Sequence, residues 1–202
     1  MKNIVNNQHV QSSVTQILQG LVRDNQTSTE FSQKFKSDGN SAFQHYFELV
    51  HRREFTPGQD FELLDSQTAK IEGKSDFDKD RLDSNTIYTA SSISLKIGTN
   101  AASGKEVDVT YGTTNEASIN NAKIQFSVDN KVRATYKASS LLDPLSNDNG
   151  TDYFTPDVPL ILIGGKPLNF KIIAPKGVTA PAGTDKYYAE LSFRGIQAVA
   201  KV

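Results

Sequence analysis

The sequence predicts a mainly β fold, an antiparallel β-sandwich or jelly roll of about eight strands carrying an N-terminal α-helical arm. Three observations predict it. Up to about residue 54 the apolar residues recur at three and four positions; from Gln59 onward the period falls to two; and no helical segment is signalled among the strands that follow. Strands without crossover helices exclude a parallel α/β sheet and leave a sandwich, jelly roll or barrel.

The arm comes first. Val10, Val14, Ile17, Leu18, Leu21 and Val22 lie on one stripe of a helix, with Asn6 or Asn7 as its cap. A second helix opens at Thr27-Ser-Thr-Glu30, Thr with Glu three later as in a capping box, and carries Phe31 and Phe35 until Asp38-Gly39-Asn40 breaks it. A third helical stretch runs from Ser41, with Phe43, Tyr46, Phe47 and Val50 at helical spacing. It ends near Arg53, where His51-Arg52-Arg53 answers the macrodipole before the Pro57-Gly58 turn. Residues 1–54 thus read as a helical arm and assembly segment, and 55–202 as the β domain. Val14, Ile17, Leu18 and Leu21, with Phe43 and Phe47, are the expected contact residues, because an apolar stripe must be buried on its own sandwich or on a neighbouring subunit.

Nine segments give the expected eight or nine strands: Gln59 to Leu64, Ala69 to Glu72, Thr86 to Ile97, Val107 to Tyr111, Ala122 to Val128, Lys131 to Lys137, Pro159 to Ile163, Leu168 to Ala174 and Tyr187 to Ile196. The clearest pairing is a hairpin, with Ile124 to Val128 and Val132 to Tyr136 alternating on either side of Asp129-Asn130, a pair that tolerates the positive φ of a tight turn. Gly164-Gly165-Lys166 supplies another turn. The loops at Gly98 to Lys105, Ser139 to Thr155 and Pro175 to Asp185 are long, and such loops collect contacts.

Composition narrows the function. Lys plus Arg number 22 against 23 Asp plus Glu, a formal charge of −1, so no net field draws in nucleic-acid phosphates, and direct nucleic-acid binding is not expected. Without cysteine there is neither a disulfide framework nor a thiolate metal site. The opening residues lack the apolar core of a secretory leader, and the longest apolar run, Pro159 to Ile163, is too short to span a bilayer. A cytosolic life, or release by lysis, is expected.

Few motifs carry chemistry. His9, His45 and His51 all precede the β region; on a helix His45 and His51 face apart and do not chelate one ion, so surface or interface positions are expected. Asp76, Asp78 and Asp80 open like a calcium loop, but Arg81 stands where glycine is needed and Ile87 where the bidentate Glu belongs, leaving three weak candidate ligands. Gly98 to Lys105 has the wrong glycine spacing for a phosphate loop, and no nucleophile elbow occurs. The expectation is a protein without cofactor that is not an enzyme.

The order of elements, a helical arm, then Phe55-Thr-Pro-Gly-Gln-Asp-Phe-Glu-Leu-Leu64, a long strand after Arg81-Leu-Asp-Ser-Asn85, and the closing Ala189-Glu-Leu-Ser-Phe-Arg-Gly195, resembles the jelly-roll capsid proteins of bacteriophages over residues 55–202. The resemblance implies a virion shell subunit that self-associates as a symmetric homo-oligomer, meets other virion proteins and assembles in the host cytoplasm; it implies no catalytic residue. Two other classes compete: a phage decoration, fibre or carbohydrate-binding module, suited to the seven tyrosines and long loops, and an enzyme on a sandwich.

Overall fold

The computed structural model describes residues 14–37, 42–101, 105–143, 152–178, 181, 183 and 185–200. Its strands are β1 (Ala42–Phe55), β2 (Phe61–Leu64), β3 (Thr86–Asn100), β4 (Lys123–Val128), β5 (Lys131–Lys137), β6 (Leu160–Ile163), β7 (Leu168–Ile173) and β8 (Lys186–Ala200). They form two four-stranded sheets, sheet A in the order β1-β8-β3-β6 and sheet B in the order β2-β7-β4-β5. The antiparallel pairs β1·β8, β2·β7, β3·β6 and β4·β5 nest as one long hairpin, and the further pairs β3·β8 and β4·β7 roll it into two layers. That winding is a jelly roll.

Alternation drives the layers together. In β4, Ile124, Phe126 and Val128 are fully buried between exposed or half-buried neighbours, and β7 repeats the pattern with Leu168, Phe170 and Ile172. At the centre Phe126 and Phe170 of sheet B meet Phe193 of sheet A at ring-centroid distances of 5.8 and 5.3 Å. Phe77, from the β2–β3 connection, closes the cluster 5.5 Å from Phe170. The β4–β5 turn is the expected one: Asp129 and Asn130 have φ of 55° and 59°, the two positive values that match a tight turn to the twist of its strands.

The arm lies on its own sandwich. Helix α1, described over residues 14–23, and α2 (Thr29–Ser37) bury Val14, Leu18, Val22, Phe31 and Phe35 against Ile87, Ile196, Ala198 and Ala200 on the outer face of sheet A. Phe31 and Phe35 stack at 5.7 Å. Ser28, one residue after the expected Thr27, caps α2: its Oγ accepts the Phe31 N–H at 3.1 Å. The same hydroxyl donates to the Ser84 carbonyl, and Ser84 Oγ donates to Glu30 Oε2 at 2.5 Å, tying the start of α2 to the loop before β3. Val10, the proposed Asn6 or Asn7 cap and the Asp38-Gly39-Asn40 break lie outside the described residues.

Four local expectations are corrected. The third helical stretch is strand β1: Phe43, Tyr46, Phe47 and Val50 do share helical spacing, but an unbroken register with β8 from Ala42↔Ala200 to Phe55↔Tyr187 outweighs it, and Leu49, His51 and Phe55 turn inward. The described helices of the arm are therefore α1 and α2, and β1 runs through the division drawn at 54. Ala69 to Glu72 is no strand; Ile71 makes only a single bridge to Ser75. Val107 to Tyr111 is a 3-10 turn over Glu106–Asp108 followed by extended chain, because this segment crosses β3 at Gly98 and bridges it only at Ile97↔Gly112. The β region also carries two short helices, α3 (Ala117–Asn120) and α4 (Ala138–Leu142), which bury Ile119, Leu141 and Leu142. Both are too short to leave a periodic signal.

Candidate functional site

Sheet A presents one outer face with two characters. β8 makes the division: Ile196, Ala198 and Ala200 lie under the arm, whereas Glu190, Ser192 and Arg194 line the other half. A local twist marks the change, since the β3–β8 register shifts between Ala90 and Ser92 opposite Gly195.

The charged half is built by register. Glu48 lies opposite Arg194 and Arg52 opposite Glu190, so Glu-x-x-x-Arg on β1 meets Glu-x-x-x-Arg on β8 running antiparallel and every charge finds its opposite. Arg194 reaches Glu48 at 2.9 Å, and Arg52 donates through Nε to Glu190 at 2.7 Å and through Nη1 to the Gly73 carbonyl at 2.6 Å. Arg52 also stacks over the Tyr111 ring at 5.0 Å, and Arg194 over Tyr153 at 4.1 Å. Tyr153 donates its hydroxyl to Glu48 at 3.0 Å. The Arg194 hydrogen bond holds the Glu48 carboxyl below its ordinary range against partial burial, and burial, then Glu48, pushes the Tyr153 phenol up. With Val50, Lys96 and Asp152 these groups line a shallow depression of about 530 Å³.

The expected contact residues divide. Val14 and Leu18 are sealed between the arm and sheet A, Ile17 and Leu21 on the arm's flank stay half-buried, and Phe47 packs edge-on to Tyr88 at 5.0 Å. Phe43, 54% exposed, stacks on His45 at 6.4 Å near the start of β1, where Tyr46 is 73% exposed. The residues expected to act together thus form a buried set that holds the arm and an accessible set along its flank and the β1 edge.

The histidine and aspartate expectations come out differently. His51 is neither at the surface nor at a helix end but buried in the core: Leu63 O is an acceptor, so Nε2 carries the proton and donates at 2.7 Å, while Nδ1 takes the Ser75 hydroxyl at 2.9 Å. Its ring lies edge-on to Phe77 at 5.9 Å. Desolvation, above all, lowers its pKa from the ordinary 6.5. On a strand His45 and His51 share a face yet stand about 20 Å apart at ~3.3 Å per residue, so they remain unable to hold one ion; His9 lies outside the described residues. Asp76 is used to fasten β1, its Oδ2 accepting the Val50 N–H at 2.7 Å, while Asp80 pairs with Arg81 at 3.6 Å. Asp78 bridges through its backbone to Arg81, and among the described residues no three His, Asp or Glu side chains converge on a metal position. No helix among the described residues is long and apolar enough to cross a membrane.

The Glu48, Arg52, Glu190 and Arg194 network escaped the sequence reading. Its only trace was the four-residue Glu-to-Arg spacing, which on β1 imitates a helical ion pair. Comparison of the chain with family models, with curated proteins and with solved structures gives no match.

Proposed function

We propose that the protein is a structural virion protein, a self-assembling capsid or shell subunit that works through contact surface and has no enzymatic activity. The observation that carries this reading is the strand order β1-β8-β3-β6 over β2-β7-β4-β5 preceded by a helical arm docked on the outer face of sheet A. A jelly roll is a rigid block whose loops and edges are available to neighbours, and viral shells, lectins and cupins all use it. What favours a shell here is the pattern of exposed apolar groups. Phe43, Tyr46, Val132 and Val158 are each more than half exposed, and Ile17 and Leu21 are half-buried, an apolar surface suited to covering by copies of the same chain. Assembly in a host cytoplasm and contact with other virion proteins belong to the same reading.

A decoration, fibre or carbohydrate-binding module is the second reading, favoured by the depression in which Tyr153 stands beside Glu48, Arg52, Glu190 and Arg194. Light scattering on size-exclusion fractions, with electron microscopy of the same material, separates the two. The shell reading expects rings or closed particles that grow with concentration, and loss of assembly in Phe43→Ser, an exposed position whose change leaves the melting temperature close to wild type. A strictly monomeric protein that binds glycans in an array overturns it.

A further inference from the structure

Sheet A ends in two edge strands of different make. Its order β1-β8-β3-β6 puts β1 on one side and β6 on the other. On the outer face the register joins these edges in a row: Tyr46 on β1 lies opposite Ile196, Ile196 opposite Thr89, and Thr89 opposite Ile161 on β6. Three strand spacings separate the ends, ~14 Å. A second row, two residues along, runs from Gln44 through Ala198 and Ile87 to Ile163. The arm seals the middle of both rows, burying Ile87, Ile196 and Ala198. The ends differ. At the β1 end stands Tyr46, 73% exposed. At the β6 end a cavity of about 270 Å³ opens between β6, β5 and the arm, walled by Ile161, Ile163, Leu21 and Tyr136. The exposed side chains of Val158, Arg133 and Gln26 complete its lining.

We propose that Tyr46 of one copy fills this cavity on the next, a lateral contact that repeats in one direction. The inference rests on the shell reading and names the contact that reading needs. Size permits it, because an apolar cavity of ~150 Å³ already takes a benzene ring. Chemistry selects it: apolar walls with a guanidinium and an amide beside them suit a side chain with an apolar body and a polar tip. The Gln26 amide is a partner for the tyrosine hydroxyl. Arg133, in no ion pair among the described residues, is placed to lie over the incoming ring as Arg52 lies over Tyr111 and Arg194 over Tyr153. Position supports it too. Since Tyr46 and Ile161 share a row, a neighbour displaced sideways in the plane of sheet A brings its tyrosine level with the cavity, without a shift along the strands. Phe43, an odd number of residues away on β1, lies on the opposite face and is not the occupant. Because tyrosine and cavity sit at opposite edges, one partner cannot engage both. Each copy therefore has two neighbours, and the contact is heterologous, closing into a ring where the rotation between copies allows.

The test uses the full chain and two variants, alone and mixed, followed by light scattering and native mass spectrometry. Tyr46→Ser removes the ring, and Val158→Asp sets a carboxylate beside the cavity; both positions are exposed, so melting temperatures match wild type. Truncating an anchoring tyrosine weakens an interface by about thirtyfold or more, so each variant alone stays monomeric where wild type assembles. The equimolar mixture behaves differently. The Val158→Asp chain keeps its tyrosine and the Tyr46→Ser chain keeps its cavity, so the two join once, and the pair stops at one copy of each because both outer ends are disabled. A contact of β1 with β1 would instead leave Val158→Asp assembling like wild type. That result overturns the proposal, as does a Tyr46→Ser chain that assembles like wild type, a mixture that stays monomeric, or a mixture that regains full particles. Wild type that stays monomeric refutes the shell reading and this contact together. Assembly that survives both variants refutes the contact and leaves the shell reading standing.

Discussion

Leu18→Ala tests whether the helical arm is part of the fold or an appendage to it. The Leu18 side chain is 1% exposed, packed among Val14, Val22, Phe31, Ile87 and Ile196. Truncation removes three carbon groups worth about 0.8 kcal/mol each in transfer, about 2.4 kcal/mol, and the cavity left under the arm raises the cost to about 3–4 kcal/mol. For a chain of this size about 2–4 °C of melting temperature accompanies each kcal/mol, so a fall of about 6–16 °C is expected by calorimetry. Ile17→Ala, one residue along on the half-buried flank, removes the same three carbons from a site that stays partly in contact with water and costs about 1 kcal/mol or less. The contrast is the point of the experiment. If Leu18→Ala melts within about 1 °C of wild type, or if the two variants lose equal stability, the arm does not dock on sheet A in solution as described.

Three further outcomes follow from single positions. Gly195→Ala places a methyl group against the Thr89 carbonyl and the Ala90–Ser91 backbone, atoms that cannot swing aside, so expression of folded protein is expected to collapse, with a loss of more than about 3 kcal/mol where the variant can be measured at all by urea unfolding. His51 is buried neutral with its pKa below the ordinary 6.5: above that pH neither state carries the proton, whereas below it the unfolded chain protonates first and stability falls, by at most about 1.4 kcal/mol per pH unit, until the folded pKa is passed. His51→Gln, measured by the same denaturant titration, should lose the pH dependence of that window; a slope equal to wild type would assign it to other groups. Asn130→Val puts a β-branched residue at φ 59° and should cost about 1–2 kcal/mol, while Asn130→Gly should be neutral or slightly stabilising by thermal melting.

The sequence alone determined the fold class, the two amphipathic helices and seven of the strands, because each of these rests on a local period that burial of one face imposes. The β4–β5 turn was legible for the same reason: Asp129-Asn130 is a local conformational preference, needing no distant partner. Strand β1 was not legible. Its inward set carries polar His51 among apolar Leu49 and Phe55, and only the Leu63 carbonyl and Ser75 hydroxyl, brought up by the tertiary fold, make that histidine a core residue. The ion pairs of sheet A were equally hidden, since they are statements about which residues lie opposite each other, and register between strands as far apart as 42–55 and 186–200 is set by rolling the whole chain into two layers. Period is a property of neighbours in sequence and survives in the letters; electrostatic matching is a property of neighbours in space, and that is what the tertiary structure decided.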